Sequence, residues 1–523
     1  MGFLKTKILK NLSFYNYLII FLFFLYSIFI ISYQYDGHHF GLIYSNAIDL
    51  INGKLPYKEI FIQYGFLTTL IHSLILLIFK SKIFFISFFN AMAFSIGIIF
   101  ISRTLKNLVN NKYAFISTIL ILANHPIPWL PWPNYLAFFF ISISIFLLSK
   151  NKINFFWVSL FFSLATLSRQ DFFIPIFLSF LIFCFFSIFD KNKIYLKNVI
   201  KILLGFTFPI IIFLSYLYFL NIHEIWFNYL IIPQYYLEIY DTKIIRLVSD
   251  FIIFFFTESF FNFIVTPQFY LISIILISNL ILILLKIFNK IKIENNILFI
   301  ILLSSFLSLV SLKIELFRLF TSVIFGIIPL LYFMSKINDQ YLRKNFKFLI
   351  LLPSIFSFFF YPLGNNSAFS KINFKLTHKK IINKKFDFHK WPHAKVNSIN
   401  ILSDIINKCN VEYLENLTFD TILSTIGNYN RIRLAPYVKA SQKDSKFFLY
   451  VDSLKNSNDN FIDLINIEIK KENIILLINK NNDKYNNNVI KISPSYNEIK
   501  INQSDIVGKP NILRVYIPSK CQK

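Results

Sequence analysis

Residues 17–41 read YLIIFLFFLYSIFIISYQYDGHHFG, and the fold turns on this stretch. From Tyr17 to Ile31 every residue except Ser27 is aliphatic or aromatic. A run of this kind with its flanks matches the ~20 helical residues needed to cross a hydrocarbon core ~30 Å thick. Gln34, Asp36, His38 and His39 then mark the return to water, while Lys5, Lys7 and Lys10 hold the opposite flank in the cytoplasm. No small-residue cleavage site follows and further apolar runs do, so the segment reads as an uncleaved first helix, not a removed signal peptide.

The rest of the chain extends this reading. Its 523 residues are 56% hydrophobic and 19% aromatic, with a mean hydropathy of +0.58, far too apolar for a water-soluble globule. Spanning-length runs recur as far as Tyr361, and the chain beyond Pro362 is rich in Lys, Asn, Asp and Ser. Two units follow, a membrane part at 1–361 and a soluble part at 362–523. The net charge of +26 sits mostly in short loops and singly along the C-terminal part, which assigns it to topology and surface rather than to nucleic acid. The abundance of Ile, Asn, Lys and Phe with few Gly resembles the codon bias of an AT-rich genome and carries no function.

Spans are expected near 16–33, 83–101, 113–124, 134–149, 154–168, 172–189, 199–220, 267–285, 297–312, 319–335 and 346–361, about eleven crossings in all. They place the Lys/Arg clusters at 103–112, 150–152, 191–197, 286–292 and 336–347 on the cytoplasmic side. The apolar segment from Phe66 to Phe79 is short for a crossing. Counting it would turn Arg103, Lys106 and Lys112 outward, so it is expected to lie in the first external loop, 34–82, as a juxtamembrane or re-entrant helix. The C-terminal part is then external, with loops 125–133, 169–171 and 221–266. Its patterning predicts a small α/β domain, with a helix over Val396–Lys408 and strands at Asn473–Ile478, Val489–Ile492 and Leu513–Ile517. Cys409 and Cys521 are able to pair in an oxidising compartment or to stay free; Cys184 lies in an apolar run, and no zinc spacing occurs.

Candidate chemistry gathers in the external loops. Asp36, just past the first helix, is placed either to act as a general base toward a hydroxyl, to ligate a divalent cation such as Mg2+ or Mn2+, or simply to mark the water boundary. His38, His39, Tyr57 and Gln63 belong to the same loop and are candidates for substrate. The second loop, Asn124 to Tyr135, offers His125 and Asn134 as polar ligands and two Trp, 129 and 132, that stack on a sugar or anchor the interface. Ser168-Arg169-Gln170-Asp171 breaks two apolar runs. It reads as a buried Arg–Asp pair or as a guanidinium presented to a lipid phosphate, a role that Arg318 also suits, with Glu315 as its neutralising neighbour. The aromatic loop from Asn221 to Thr266 suits an interfacial, amphipathic segment.

This arrangement resembles the GT-C class of membrane glycosyltransferases, which includes protein O-mannosyltransferases and lipid A aminoarabinose transferases. The likeness in organisation runs over residues 15–335. It is sharpest in Asp36, matching the acidic residue at the end of the first helix, and in Gly53-Lys54-Leu55-Pro56-Tyr57, matching the segment that leads to the juxtamembrane helix. Arg169 stands where the class shows Lys or Arg. Relatives carry a second acidic residue in the loop where this chain has Asn134 and His125.

The resemblance implies a multi-pass enzyme of a bacterial inner membrane with a periplasmic C-terminal domain. It would move a sugar from a polyprenyl-phosphate carrier to an external lipid, glycan or protein acceptor, with membrane lipid and no nucleic acid as partners. No Gly-rich phosphate loop follows a strand, as a nucleotide-sugar donor would require. The alternative is a transporter or flippase of a lipid-linked glycan or small solute, which would use the same basic residues and need no base. An O-antigen ligase or polymerase and a purely structural membrane protein are the remaining rivals.

Overall fold

The structure is a computed structural model. It describes residues 2–33, 39–57, 60, 62, 65–125, 131–189, 196–224, 226, 267–288, 290–310 and 316–360, and in the C-terminal part 381, 383–388, 391, 393–409, 413–416, 423, 426, 469–472, 474–479, 492–502 and 512–522.

Helices dominate the first part: α1 (Gly2–Tyr33), α2 (His39–Ile51), α3 (Phe66–Ile78), α4 (Phe84–Leu108), α5 (Asn111–Ala123), α6 (Pro133–Leu148), α7 (Phe155–Ser168), α8 (Phe173–Phe189) and α9 (Leu196–Phe219). After residues outside the described set come α10 (Pro267–Ile287), α11 (Asn295–Val310), α12 (Leu316–Val323), α13 (Ile327–Lys336) and α14 (Gln340–Phe360). Among the described residues five stretches are long and apolar enough to cross a membrane: Leu12–Tyr33, Phe84–Leu108, Asn198–Phe219, Gln268–Ile287 and Arg318–Lys336. Large side chains such as Phe21, Leu22 and Leu25 on α1 and Leu203, Leu204, Ile211 and Ile212 on α9 face outward. Surface of that kind aggregates in water and matches lipid, so the chain is a polytopic helical membrane protein.

Cross-helix contacts sort the bundle into two ends. At one end Arg103 Nε donates to the Tyr17 hydroxyl at 3.2 Å, Asn107 to Ser149 at 3.1 Å, Asn296 to the Leu148 carbonyl at 3.2 Å, and the Tyr332 hydroxyl to Glu294 at 2.7 Å. Lys347 lies 5.5 Å from the Tyr113 ring centre, so the basic clusters around 103–112, 150–152, 286–292 and 336–347 share this end. Of the cluster at 191–197, residues 191–195 lie outside the described set.

The other end holds His125, Trp132, Arg169 and Arg318. Consecutive helices α6 and α7 run antiparallel, with Phe140 against Phe161 and Ser144 donating to the Val158 carbonyl, which brings Pro133 level with Ser168. Helix α3 lies wholly at this end. Near its start Thr68 donates to the Ser168 carbonyl at 2.9 Å, and the turn after it reaches Ile83, whose N–H donates to the Lys385 carbonyl of the C-terminal part at 3.2 Å. A 13-residue helix, ~20 Å long, that starts and finishes at one end of the bundle does not cross it.

In the C-terminal part, α15 (His393–Lys408) accompanies a sheet of, among the described residues, four strands in the order β1 (Tyr413–Asn416), β2 (Ile474–Asn479), β4 (Ile512–Pro518), β3 (Tyr496–Asn502). β1 and β2 are parallel; β2–β4 and β3–β4 are antiparallel, with Ile499 opposite Val515. Cys409 and Cys521 form a disulfide across 112 residues, tying the end of α15 to the chain end. The expected helix and the strands at 473–478 and 513–517 are present. Residues 489–491 lie outside the described set and Ile492 is not in a strand; the strands not expected are β1 and β3, and in β3 the apolar Ile499 and Ile501 are diluted by Asn, Glu and Lys.

Candidate functional site

The centre of the candidate site is the hairpin between α7 and α8. Arg169 is 2% exposed, and its Nε and Nη2 grip the Asp171 carboxylate at 2.7 Å each, with a further 3.0 Å contact from Nε. Its guanidinium also lies 4.8 Å from the Phe172 ring centre. Paired geometry of this kind keeps a buried cation bearable in an apolar wall. The Asp171 side chain is 39% exposed, so the pair opens on one side to solvent.

The first loop seals the other side. Gly65, at the start of α3, is seated so tightly that a Cβ there would overlap the Leu167 and Ser168 carbonyls. Ahead of it the chain turns twice through positive φ, at Gly53 (+80°) and at Tyr57 (+63°). Glycine takes the first without cost, whereas Tyr57 is held there by burial. Tyr57 is 1% exposed; its N–H donates to the Ile60 carbonyl at 3.1 Å, and its hydroxyl is hydrogen-bonded to the Trp226 side chain and to the Phe66 backbone. That environment pushes the phenol strongly upward, chiefly by burial, so Tyr57 works in this structure as the peg between loop and bundle. Lys54 pairs with buried Asp49 at 3.4 Å.

A second polar group lies at the same end. The Arg318 guanidinium stands 4.5 Å from the Trp132 ring centre, and Asn134 Nδ2 donates to Thr321 at 3.0 Å. The Thr321 and Ser322 hydroxyls bond back to the Arg318 carbonyl. Buried His125 lies 3.4 Å from the Tyr135 hydroxyl, among Phe23, Phe94 and Phe320. Trp132 therefore caps a guanidinium here.

Of the sequence candidates, Tyr57, Asn134, Arg169, Asp171 and Arg318 thus stand at one end of the bundle. Asp36, His38 and Gln63 lie outside the described residues, as does Glu315, and His39 is described only as the first residue of α2. Among the described residues no three His, Cys, Asp or Glu side chains converge to hold a metal. The roles of Gly65, Thr68 and Trp226 were not legible in the sequence. Each acts through a partner about 100 or more residues away, and only the missing side chain in Gln63-Tyr64-Gly65 hints at a close approach.

No family model matches the chain, and no curated protein matches its sequence. Among solved structures it is similar to ArnT from Cupriavidus metallidurans bound to undecaprenyl phosphate, at 10% identity and a TM-score of 0.49, covering 96% of this chain and 97% of that one. A likeness of that degree does not establish a shared fold, and what the chain does is argued from its own residues.

Proposed function

We propose that this protein is a GT-C-like membrane glycosyltransferase, crossing the membrane about eleven times with its C-terminal domain outside, that moves a sugar from a polyprenyl-phosphate carrier to an external acceptor. The observation that carries the reading is the seating of α3 on the Arg169 hairpin, at the end of the bundle opposite the Lys-rich clusters. The loop that bears Asp36 and the most buried guanidinium of that end are thereby parts of one structure.

In this scheme the acceptor hydroxyl attacks the anomeric carbon of the donor. Asp36 takes the hydroxyl proton, the bond between that carbon and the phosphate oxygen breaks, and polyprenyl phosphate leaves. Arg169 and Arg318 stabilise the charge that develops on the leaving phosphate, and guanidinium groups suit this because they offer fixed, paired donors. Asp171 sets the orientation of Arg169. His38, His39, Gln63 and Asn134 contact the sugar or the acceptor, and a divalent cation on Asp36 would add Lewis-acid assistance when bound.

The test is transfer by purified protein in liposomes supplied with a labelled polyprenyl-phosphate sugar. Asp36→Asn is expected to lower turnover by about 10²–10⁴-fold with folding intact, in line with removal of a general base. Unaltered turnover would remove Asp36 from catalysis. Movement of label across the bilayer with the sugar–phosphate bond unbroken would establish the transporter reading instead. Loss of activity on chelation, restored by Mg2+ or Mn2+, would place a metal at the site.

A further inference from the structure

The C-terminal domain is built into the first loop. Phe40, Tyr44 and Ala47 of α2, Leu76 of α3, and Ile83 and Ile86 at the start of α4 share one buried apolar cluster with Ile381, Phe386, Trp391, Val396, Ile399 and the sheet residues Ile475, Leu477 and Val515. Phe40 and Trp391 are both fully buried in it. The contact is also polar and directional. Ile83 N–H donates to the Lys385 carbonyl at 3.2 Å, Lys82 pairs with Asp387 at 3.0 Å, and Lys82 lies 4.9 Å from the Phe388 ring, which itself meets Phe84 and Phe85. The Tyr44 hydroxyl bonds to the Ser81 carbonyl at 2.9 Å, which links α2 to the same turn.

Phe40 follows Asp36 by four residues in the chain. We infer that residues 383–388 and Trp391 of the C-terminal part are a positioning element for α2, the helix that follows Asp36 in the chain, with Trp391 as the packing anchor of α2 and Lys82–Asp387 as the pin. Only Gly37 and His38 separate Asp36 from α2, so the placement of α2 bounds how far along the chain the carboxylate can reach. Misplacement by about 1 Å at a reacting group costs up to 10²-fold in rate. The domain touches neither donor nor acceptor in this role. The inference rests on the proposed transfer reaction for its catalytic readout only.

The experiment uses the full chain in liposomes, comparing wild type with Trp391→Ala, Trp391→Phe, Lys82→Asp, Asp387→Lys and the double charge swap. Amide exchange over residues 39–51 is read first, because it does not depend on activity. Trp391→Ala and each single charge reversal should raise exchange there by about tenfold, with Trp391→Phe and the double swap returning it toward wild type. In the transfer assay the same variants should lose kcat by about tenfold or more while KM for the donor changes little, since Arg169 is untouched. Unchanged exchange over 39–51 in the charge reversals overturns the inference even if Trp391→Ala fails to fold. So does a loss confined to KM. A wild-type protein without transfer activity defeats the proposed function alone, since the exchange readout still decides whether the domain holds α2.

Discussion

At the scale of single residues, the Arg169–Asp171 pair decides most. A guanidinium that is 2% exposed needs its carboxylate, so Asp171→Asn should destabilise the protein in detergent by about 2 kcal/mol, less than for a fully buried pair because Asp171 is 39% exposed. Thermal unfolding measures this. Arg169→Lys keeps the charge but loses the two-pronged grip, and donor affinity should fall about tenfold while the bundle survives; equal binding by the two proteins would reject the phosphate role. Tyr57 was read from the sequence as a contact for substrate, yet its hydroxyl is engaged by Trp226 and Phe66. Tyr57→Phe should therefore cost about 1–2 kcal/mol of stability by leaving those donors short of an acceptor.

At the scale of elements, α3 is the informative piece. Gly65→Ala would drive a methyl group into the carbonyls of 167 and 168, and a cost of about 1–3 kcal/mol is expected, seen as faster amide exchange over 66–78. The helix also carries a pH response. Its buried His72, 3.5 Å from Asn90, is pushed down to about 4 by burial, against an ordinary value near 6.5. The unfolded chain binds the proton first, so the stability of the docked helix is constant above pH ~6.5 and declines as the pH falls from there to about 4. Exchange of the α3 amides at pH 7.5, 6 and 5 should show that trend, and His72→Asn should flatten it.

At the scale of the whole molecule, sidedness and the disulfide can be tested together. Single cysteines at Lys290 and at Lys500, in a Cys184→Ser background, should differ in labelling by an impermeant maleimide on intact cells, with only the second reactive. The Cys409–Cys521 bridge closes a loop across 112 residues, and replacing both cysteines with serine should lower the stability of the C-terminal part by about 3–4 kcal/mol. Chemical denaturation followed by near-ultraviolet dichroism reads that loss.

Hydrophobic runs and the positions of Lys and Arg are local properties, and from them alone came the membrane class, the non-crossing place of 66–79, the α/β character of the C-terminal part and the choice of Arg169 and Arg318. Transfer free energy acts on each segment separately, so its record survives in linear order. The pairing of Arg169 with Asp171 was visible as one of two readings, because the partners are two residues apart. The seating of Gly65 on Ser168, the peg at Tyr57, the closure of Cys409 onto Cys521 and the burial of Phe40 with Trp391 were decided only by the tertiary structure. Each joins parts of the chain that are remote in sequence, and a packing contact of that kind leaves no periodicity or composition behind it.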